Sequence, residues 1–466
     1  MLETSSYAGL NGFSYKEELS QFVKDHDGLT VSKAELGHFL TTTVGKMGDR
    51  HAYVRGYELP NTKFFPLAFA PYNEEILVLD FHPASRQYRI KFPSFPILTS
   101  IDHVPVDKLL PEILPEEVSA PQEAYFTRAV RKLRDIEEIY GQLGKSLPNP
   151  IEITLSNDQK SKDTTIQLLL VDRDHRMNKW DEKFYRQFFY LDEEEFNQKE
   201  VFQQLFTVDE GIGYVRIPDM VGKDEAPQLY AYLNQFMHEL KQESAGLIID
   251  VRSNGGGVRD LIYEMAGYFV HPDSIYVVNA VQQRGKIPLN QELKEDLHHR
   301  FLFSIDELEQ REKEAVHRFH SSFQPMYELD ETKFSQFHYA VFNGQKLSKD
   351  KFFYEKPIFI LTNERSFSAA SVLVALFKGV PNIYIAGVNT DGSSGNSERF
   401  TLPNTQLKGK ISTMVSFQKD GKVLDGYGTA PDINISRDLE QILWKSDTQL
   451  EKLREIIHKG EYLNSP

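Results

Sequence analysis

The sequence predicts an α/β protein built around a largely parallel sheet, and three observations support this prediction. Leu247–Arg252 is a near-continuous apolar run, which is typical of a strand buried on both faces. From residue 208 to residue 280, strand patterns alternate with helix patterns, as in parallel sheets with crossover helices. The chain has 466 residues, of which 40% are hydrophobic. It is therefore long enough for two or three domains with cores of their own.

Composition excludes several classes of function. The net charge of −15 argues against nucleic acid as the main partner, because phosphate binding needs a basic surface. The chain has no Cys, which excludes disulfides and thiol nucleophiles. No apolar run approaches the length of a membrane span. No spacing of His and carboxylate residues suggests a metal site, and we expect neither a metal nor a cofactor. Met1–Thr4 lacks the features of a signal peptide, which favours a cytoplasmic protein or an exported one without its leader.

Residues 1–64 are predicted to form an N-terminal helical segment. Helical spacing runs from Tyr15 to Val23 and from Ser32 to Val44, and Ser32 with Glu35 resembles a capping box. His51 follows in a turn. Histidine is the usual general base near neutral pH, although a histidine with a structural role is commoner than a catalytic one.

Residues 65–205 are predicted to form a small mixed α+β module. Its clearest helix runs from Gln122 to Leu143 as one amphipathic element. A second face of this helix carries Arg128, Arg131, Lys132 and Asp135, and we expect that face to be solvated. The acidic run Asp192–Glu195 is expected to join the module to the core.

Residues 206–466 are predicted to form the core domain. Ser253–Gly257 follows the buried strand, and its three glycines allow the backbone to approach a ligand closely. This loop is not a phosphate loop, because the Lys-Ser/Thr ending is missing. A charged, helical, histidine-containing segment from about residue 286 to residue 350 is expected to be an insertion over the core, in the position of a lid.

Two serines lie where a strand is predicted to turn into a helix. Pro357–Leu361 has the pattern of a buried strand, and residues 369–376 carry apolar side chains at helical spacing. Ser366 and Ser368 lie between them, where amides are unpaired and the helix dipole favours negative charge. A serine here is either a nucleophile with an oxyanion site beside it or only a helix cap.

Four motifs, in order, resemble the C-terminal-processing, or tail-specific, serine peptidases over roughly residues 208–435. They are Leu247–Gly257, Ser366–Ala370, the Gly387–Gly392 loop and Gly428–Ile433. The resemblance implies a crotonase-like (ClpP/crotonase-type) α/β spiral core with Ser368 as the nucleophile. It also implies an oxyanion hole made by the amides of Gly255 or Gly256 together with Ala369.

The chain departs from the best-known members of that family, which pair the serine with a Lys in a Gly-Lys-Gly context. Here no Lys lies between Lys378 and Lys408, so a Ser–Lys dyad is not expected. The tricorn-like branch lacks that Lys too and takes its base from a Gly-Asp-x-His motif, which Gly48–His51 resembles. In that branch an acidic residue polarises the base through a hydroxyl, and Asp425 occupies its place, where Glu is commoner.

The resemblance therefore implies a serine peptidase that cleaves peptides or unfolded protein tails, with His51 as the general base. A catalytically inactive relative that binds peptides or other ligands is the alternative, and an acyl-CoA enzyme with the same oxyanion geometry ranks last. In relatives a PDZ-like module steers the substrate, and residues 65–205 are candidates for that role. Neither a nucleic acid nor a membrane is expected as a partner, and a homo-oligomer is left open.

Overall fold

A computed structural model describes residues 2–113, 121–182 and 198–464. This part of the chain is a mixed α/β protein with four sheets, which confirms the α/β class predicted from the sequence. The acidic run Asp192–Glu195, expected to be a linker, lies outside the described residues.

The N-terminal segment contains two helices and a short strand. They are α1 (Tyr15–Asp25), α2 (Lys33–Lys46) and β1 (Tyr53–Arg55). Ser32 and Glu35 form the predicted capping box at the start of α2. β1 pairs antiparallel with Lys408–Ser412, which places Tyr53 opposite Lys410. This pairing ties the start of the chain to its last third.

The module consists of an antiparallel sheet with helices packed against it. Its elements are β2 (Ala68–Tyr72), β3 (Glu75–His82), β4 (Gln87–Ile90), β5 (Ile97–Ile101), β6 (Val104–Pro105), α3 (Val106–Ile113), α4 (Gln122–Lys132), α5 (Ile136–Gln142), β7 (Ile151–Ser156) and β8 (Asp163–Leu168). The single helix predicted from Gln122 to Leu143 is wrong, since α4 ends at Lys132 and α5 begins at Ile136. Buried Asp135 lies in the break, where its carboxylate pairs with Arg134 and Lys179.

The rest of the described chain forms the core domain. Its elements are α6 (Lys199–Leu205), β9 (Phe206–Asp209), β10 (Ile212–Arg216), α7 (Pro227–Glu243), β11 (Gly246–Asp250), α8 (Asp260–Phe269), β12 (Ile275–Gln283), α9 (Gln291–His298), β13 (Phe303–Ser304), α10 (Gln310–His320), β14 (His338–Asn343), α11 (Gly344–Leu347), β15 (Ile358–Thr362), α12 (Ala369–Phe377), β16 (Ile383–Gly387), β17 (Ser397–Thr401), β18 (Lys408–Ser412), β19 (Met414–Phe417), β20 (Ile433–Asn434), α13 (Leu439–Ile442) and α14 (Thr448–Lys459).

The main sheet of this domain has the order β20-β16-β15-β11-β10-β9 and is parallel apart from β9. β11 and β15 are neighbours in register from Leu247 opposite Ile358 to Asp250 opposite Leu361. Both strands are fully buried. Because neighbouring parallel strands end at the same edge, the glycine loop after β11 and the serine turn after β15 meet there.

A second sheet, β13-β14-β12-β19, contains part of the segment expected to be a lid. β14 pairs antiparallel with β12 from Ile275 opposite Asn343 to Val281 opposite His338. Leu297 and Phe342 of the same segment belong to the main hydrophobic core and are fully buried. The expectation of a lid over the core is therefore wrong, because this segment supplies an interior strand and core side chains.

Candidate active site

Ser368 lies at the sharp turn between β15 and α12, with φ of 51° and ψ of −123°. Residues other than glycine rarely adopt a positive φ, and such strained positions cluster at functional sites. Ser368 occupies the N-cap position of α12, but its side chain makes no capping hydrogen bond. Its hydroxyl is therefore not used in holding the helix end.

Ser366 has a different environment. Its hydroxyl donates to the Val251 carbonyl at 2.8 Å and accepts from the Asn363 N–H at 3.2 Å. The residue is fully buried. These bonds join the serine turn to the end of β11, so Ser366 stabilises the turn that presents Ser368.

The glycine loop lies directly against the serine. A Cβ added to Gly256, whose φ is 94°, would lie 2.6 Å from Ser368 Cβ and 2.9 Å from the Ala369 nitrogen. Only glycine permits this approach. The Ala369 N–H begins α12, so it has no acceptor within the helix and can face a bound oxyanion.

The two glycine amides are not equivalent. The Gly256 N–H donates to Asn254 Oδ1 at 2.8 Å, so that amide is already engaged. Gly255 is exposed, and a Cβ there would meet only Asp219 Oδ1, at 3.9 Å. Of the two predicted candidates, only the Gly256 amide is thus shown to be engaged by a side chain.

A loop of polar residues, 390–396, closes the other side of the serine turn. Ser393 Oγ accepts a hydrogen bond of 2.7 Å from the Ser368 N–H. Ser394 donates to Asp425 through both its hydroxyl and its backbone N–H. Neither serine was singled out from the sequence, although both follow the Gly387–Gly392 motif that carried part of the resemblance.

His51 lies beside the serine turn, with its ring centroid 5.4 Å from that of Phe367, the residue before Ser368. Its Nε2 lies 3.1 Å from Lys410 Nζ. Its Nδ1 is buried and has no hydrogen-bond partner among the described residues. The fold thus brings the predicted base and nucleophile into one neighbourhood, although the hydrogen bonds of the described residues include none between these two side chains.

Burial and neighbouring cations control the charge of His51. Burial, then Lys410 and Arg50, lowers its pKa to about 3, so the imidazole is neutral near pH 7. Burial, followed by Arg399, lowers the pKa of Lys410 to about 8. Lys410 was not singled out from the sequence, because nothing near it in the chain points to the site.

Asp425 is buried and contacts hydroxyls, and no contact with His51 is found in the described part. Tyr7 Oη donates to Asp425 Oδ2 at 2.7 Å, and Ser394 Oγ donates to the same oxygen. Burial raises the pKa of Asp425 to about 6. Asp425 therefore acts on its surroundings through Ser394 and Tyr7, and Tyr7 is a further residue that the sequence gave no reason to single out.

The arginine face of α4 is partly buried, so the expectation of a solvated face is wrong. Arg128 lies 2.9 Å from Asp391, which also pairs with Arg50 at 2.5 Å. Both guanidinium groups lie within 6 Å of the centre of the Phe367 ring, at 5.6 and 5.9 Å. Asp391, in the loop 390–396, thus connects Arg128 of the module with Arg50, the residue before His51.

Within the described residues, no group of three or more His, Cys, Asp or Glu side chains is arranged to hold a metal ion. In the same part of the chain, no helix combines the length and the apolar character that spanning a bilayer requires.

Comparison with known proteins gives one family match. Residues 211–435 match the sequence model described as Peptidase family S41. This range coincides closely with residues 208–435, where the motifs of the C-terminal-processing peptidases were found, and it confirms that resemblance. It also confirms the predicted class of enzyme domain, a serine-type peptidase domain, for this segment.

Individual relatives are distant. A Chlamydia pneumoniae protein described as CPj1016/CpB1054 is 33% identical over 92 residues, which is 19% of this chain and only 15% of the length of that relative. The crystal structure of mature CPAF superposes with a TM-score of 0.64 at 14% identity, covering 96% of this chain and 92% of that one. Mature CPAF complexed with lactacystin gives a TM-score of 0.61 at 14% identity and covers 98% and 94%. At such low identity these structures show a shared fold.

Proposed function

Because residues 211–435 match the model of peptidase family S41, we propose that this chain is a serine peptidase that cleaves peptide bonds in peptides or unfolded protein tails. Ser368 is the nucleophile and His51 the general base. We extend the proposal to the architecture of the core, a crotonase-like α/β spiral. The parallel strands β10, β11, β15 and β16 with their crossover helices are compatible with it.

The observation that carries the proposal is the environment of Ser368. Its backbone is held at a positive φ, its hydroxyl makes no cap, and Gly256 packs against its Cβ. A serine that served only as a cap would have used its hydroxyl on the amides of the first helical turn. This arrangement supports a nucleophile presented at a strained strand-to-helix turn.

In the proposed reaction, His51 removes the hydroxyl proton of Ser368 as Oγ bonds to the carbonyl carbon of the substrate. The carbonyl oxygen becomes an oxyanion and accepts hydrogen bonds from the amides of Ala369 and Gly255. The same proton then passes to the leaving amine, and water hydrolyses the acyl-enzyme. Since catalytic hydrogen bonds are often long in unliganded enzymes, His51 and Ser368 come into contact when substrate binds.

Asp425 supports this site indirectly in the proposal. Its carboxylate holds Ser394, whose neighbour Ser393 accepts from the Ser368 N–H. The shorter Asp fills the place of the commoner Glu because Tyr7 and Ser394 both reach it. The residue therefore fixes the loop that lies against the nucleophile.

The proposal is tested with Ser368→Ala and an unstructured peptide library as substrate. We expect cleavage to fall by more than about 10³-fold, as when a nucleophile is removed from a catalytic triad. Ser321→Ala is the control, because the Ser321 hydroxyl donates to the Arg318 carbonyl at the exposed end of α10. Cleavage by Ser368→Ala at the rate of the control would refute Ser368 as the nucleophile.

The second candidate is a catalytically inactive family member that binds peptides. The contact of His51 Nε2 with Lys410 favours it, because that nitrogen is then occupied. In that case the unmodified chain would bind peptides without cleaving them, and Ser368→Ala would leave peptide affinity unchanged. Cleavage products that depend on Ser368 exclude this candidate.

A further inference from the structure

Lys410 is placed to control the proposed base. It lies on β18, opposite Tyr53 of β1, and its Nζ is 3.1 Å from His51 Nε2. Within the described residues it has no carboxylate within ion-pair distance. Lys410 is half-buried, and the hydrogen bond of its Nζ goes to the imidazole of His51.

We propose that Lys410 is a positioning residue that switches His51 between a blocked and an active tautomer. The inference rests on the proposed peptidase function and deepens it. In an ordinary triad a carboxylate accepts the ring N–H that faces away from the nucleophile. In the active state proposed here, the neutral amine of Lys410 takes that place.

Two protonation states of Lys410 have opposite effects. As an ammonium, Lys410 can only donate, so it occupies the Nε2 lone pair and leaves the ring proton on Nδ1. His51 then offers no free lone pair to Ser368. As a neutral amine, Lys410 accepts from Nε2–H, and the buried, unpartnered Nδ1 carries the free lone pair.

The proton transfers balance in the active state. Ser368 Oγ–H gives its proton to His51 Nδ1 while Oγ bonds to the substrate carbonyl carbon. The imidazolium that forms keeps its Nε2–H directed at the Lys410 lone pair, which stabilises the positive charge. Nδ1–H then returns the proton to the leaving amine, and Lys410 ends in the neutral form in which it began.

The surroundings place this switch in an accessible pH range. Burial lowers the pKa of Lys410 to about 8, and loss of its proton removes a cation that lowers the pKa of His51. The charged groups that face the pair are Arg55, Arg399, Asp49 and Asp425 around Lys410, and Arg50, Arg300 and Arg399 around His51. Arginines stay protonated, so they do not change charge near pH 8.

The first test follows the tautomer directly, without an activity assay. The whole chain is labelled with ¹⁵N-histidine, and the His51 signals are assigned by their loss in His51→Gln. We expect the ring proton of His51 to move from Nδ1 to Nε2 as pH rises from 6 to 10, with a midpoint near that of Lys410. In Lys410→Met the switch should be absent. A tautomer that stays constant over this range in the unmodified chain would overturn the inference.

The second test uses kcat/KM for peptide cleavage between pH 6 and 10. The kcat/KM of the unmodified enzyme should rise through a midpoint near pH 8. In Lys410→Met, kcat/KM should fall by ~10²-fold and should no longer depend on pH in this way, because the variant lacks the partner that sets the tautomer of His51. Lys410→Arg should be inactive throughout, because Arg keeps its proton.

Lys419→Met is the matched control. Burial lowers the pKa of Lys419 to about 8 as well, but its Nζ donates to the Lys378 carbonyl and not to His51. Its pH profile should match that of the unmodified enzyme. Thermal unfolding shows whether the Lys410→Met enzyme is folded. If the folded variant keeps the full pH profile, the inference is overturned. That result would leave the peptidase assignment intact, because that depends on Ser368→Ala.

Discussion

The backbone at Ser368, with φ of 51°, is strained for a residue that carries a Cβ. Such strain persists only where the surroundings enforce it. At this turn Ser366 bonds to Val251, Phe367 N–H bonds to Asn254 O at 2.9 Å, and Ser393 holds the Ser368 N–H. The turn is thus fixed from three sides, and none of these bonds uses the hydroxyl of Ser368.

Substitutions in the glycine loop test whether activity depends on the close approach of Gly256 to Ser368. In Gly256→Ala the new Cβ would collide with Ser368 and with the Ala369 nitrogen, at a φ that disfavours alanine. We expect kcat for peptide cleavage to fall by ~10²-fold or more, as when an oxyanion donor is lost. Gly255→Ala is the matched control, because open space surrounds that position and the amide is retained. Equal rates for the two variants would contradict a catalytic role for the close packing of Gly256 on Ser368.

Some site residues could be predicted from sequence and others could not, and the reason is distance along the chain. Ser368 and His51 each lie in a short local motif. Lys410 and Tyr7 reach the site only through contacts with residues 359 and 418 positions away, which depend on how β1 pairs with β18 and on where the N-terminal residues pack. No local pattern encodes such contacts.

At the scale of elements, parallel pairing of β11 and β15 creates the site. Their shared register places the glycine loop and the serine turn at one sheet edge. The two buried strands could be predicted, because continuous apolar runs identify buried parallel strands. The pairing of β14 with β12 could not, because the charged, helical composition around it favoured an insertion outside the core.

Asp391 links α4, the turn before His51 and the loop 390–396, so it should matter for stability. Asp391→Asn removes the ion pair between the Arg50 guanidinium, which is 3% exposed, and the fully buried Asp391 carboxylate. We expect a loss of about 3 kcal/mol or more in the free energy of unfolding, measured by chemical denaturation. Asp172→Asn is the control, since its ion pair with Lys63 is solvent-exposed and should change little. If both variants unfold at the same denaturant concentration, this linking role is refuted.

At the scale of the whole molecule, the site is formed by segments that are far apart in the chain. The N-terminal residues contribute directly, since Ser5 donates to Asp49, Ser6 N–H donates to Ser412 O, and Tyr7 donates to Asp425. Asp49 in turn accepts from Ser412, which anchors the turn that carries His51 to β18. His51 is therefore held by the core domain, and the family match over residues 211–435 covers only part of the proposed catalytic apparatus.

The most direct test of the account is covalent labelling with a fluorophosphonate probe, followed by peptide mass spectrometry of the whole chain. Only a serine activated by a base and an oxyanion site reacts readily with such a probe. We predict one modified residue, Ser368, with labelling slowed by ~10²-fold or more in His51→Gln and abolished by heat unfolding. A chain that stays unlabelled at Ser368, or that labels equally fast without His51, would contradict the assignment of Ser368 and His51 as nucleophile and base.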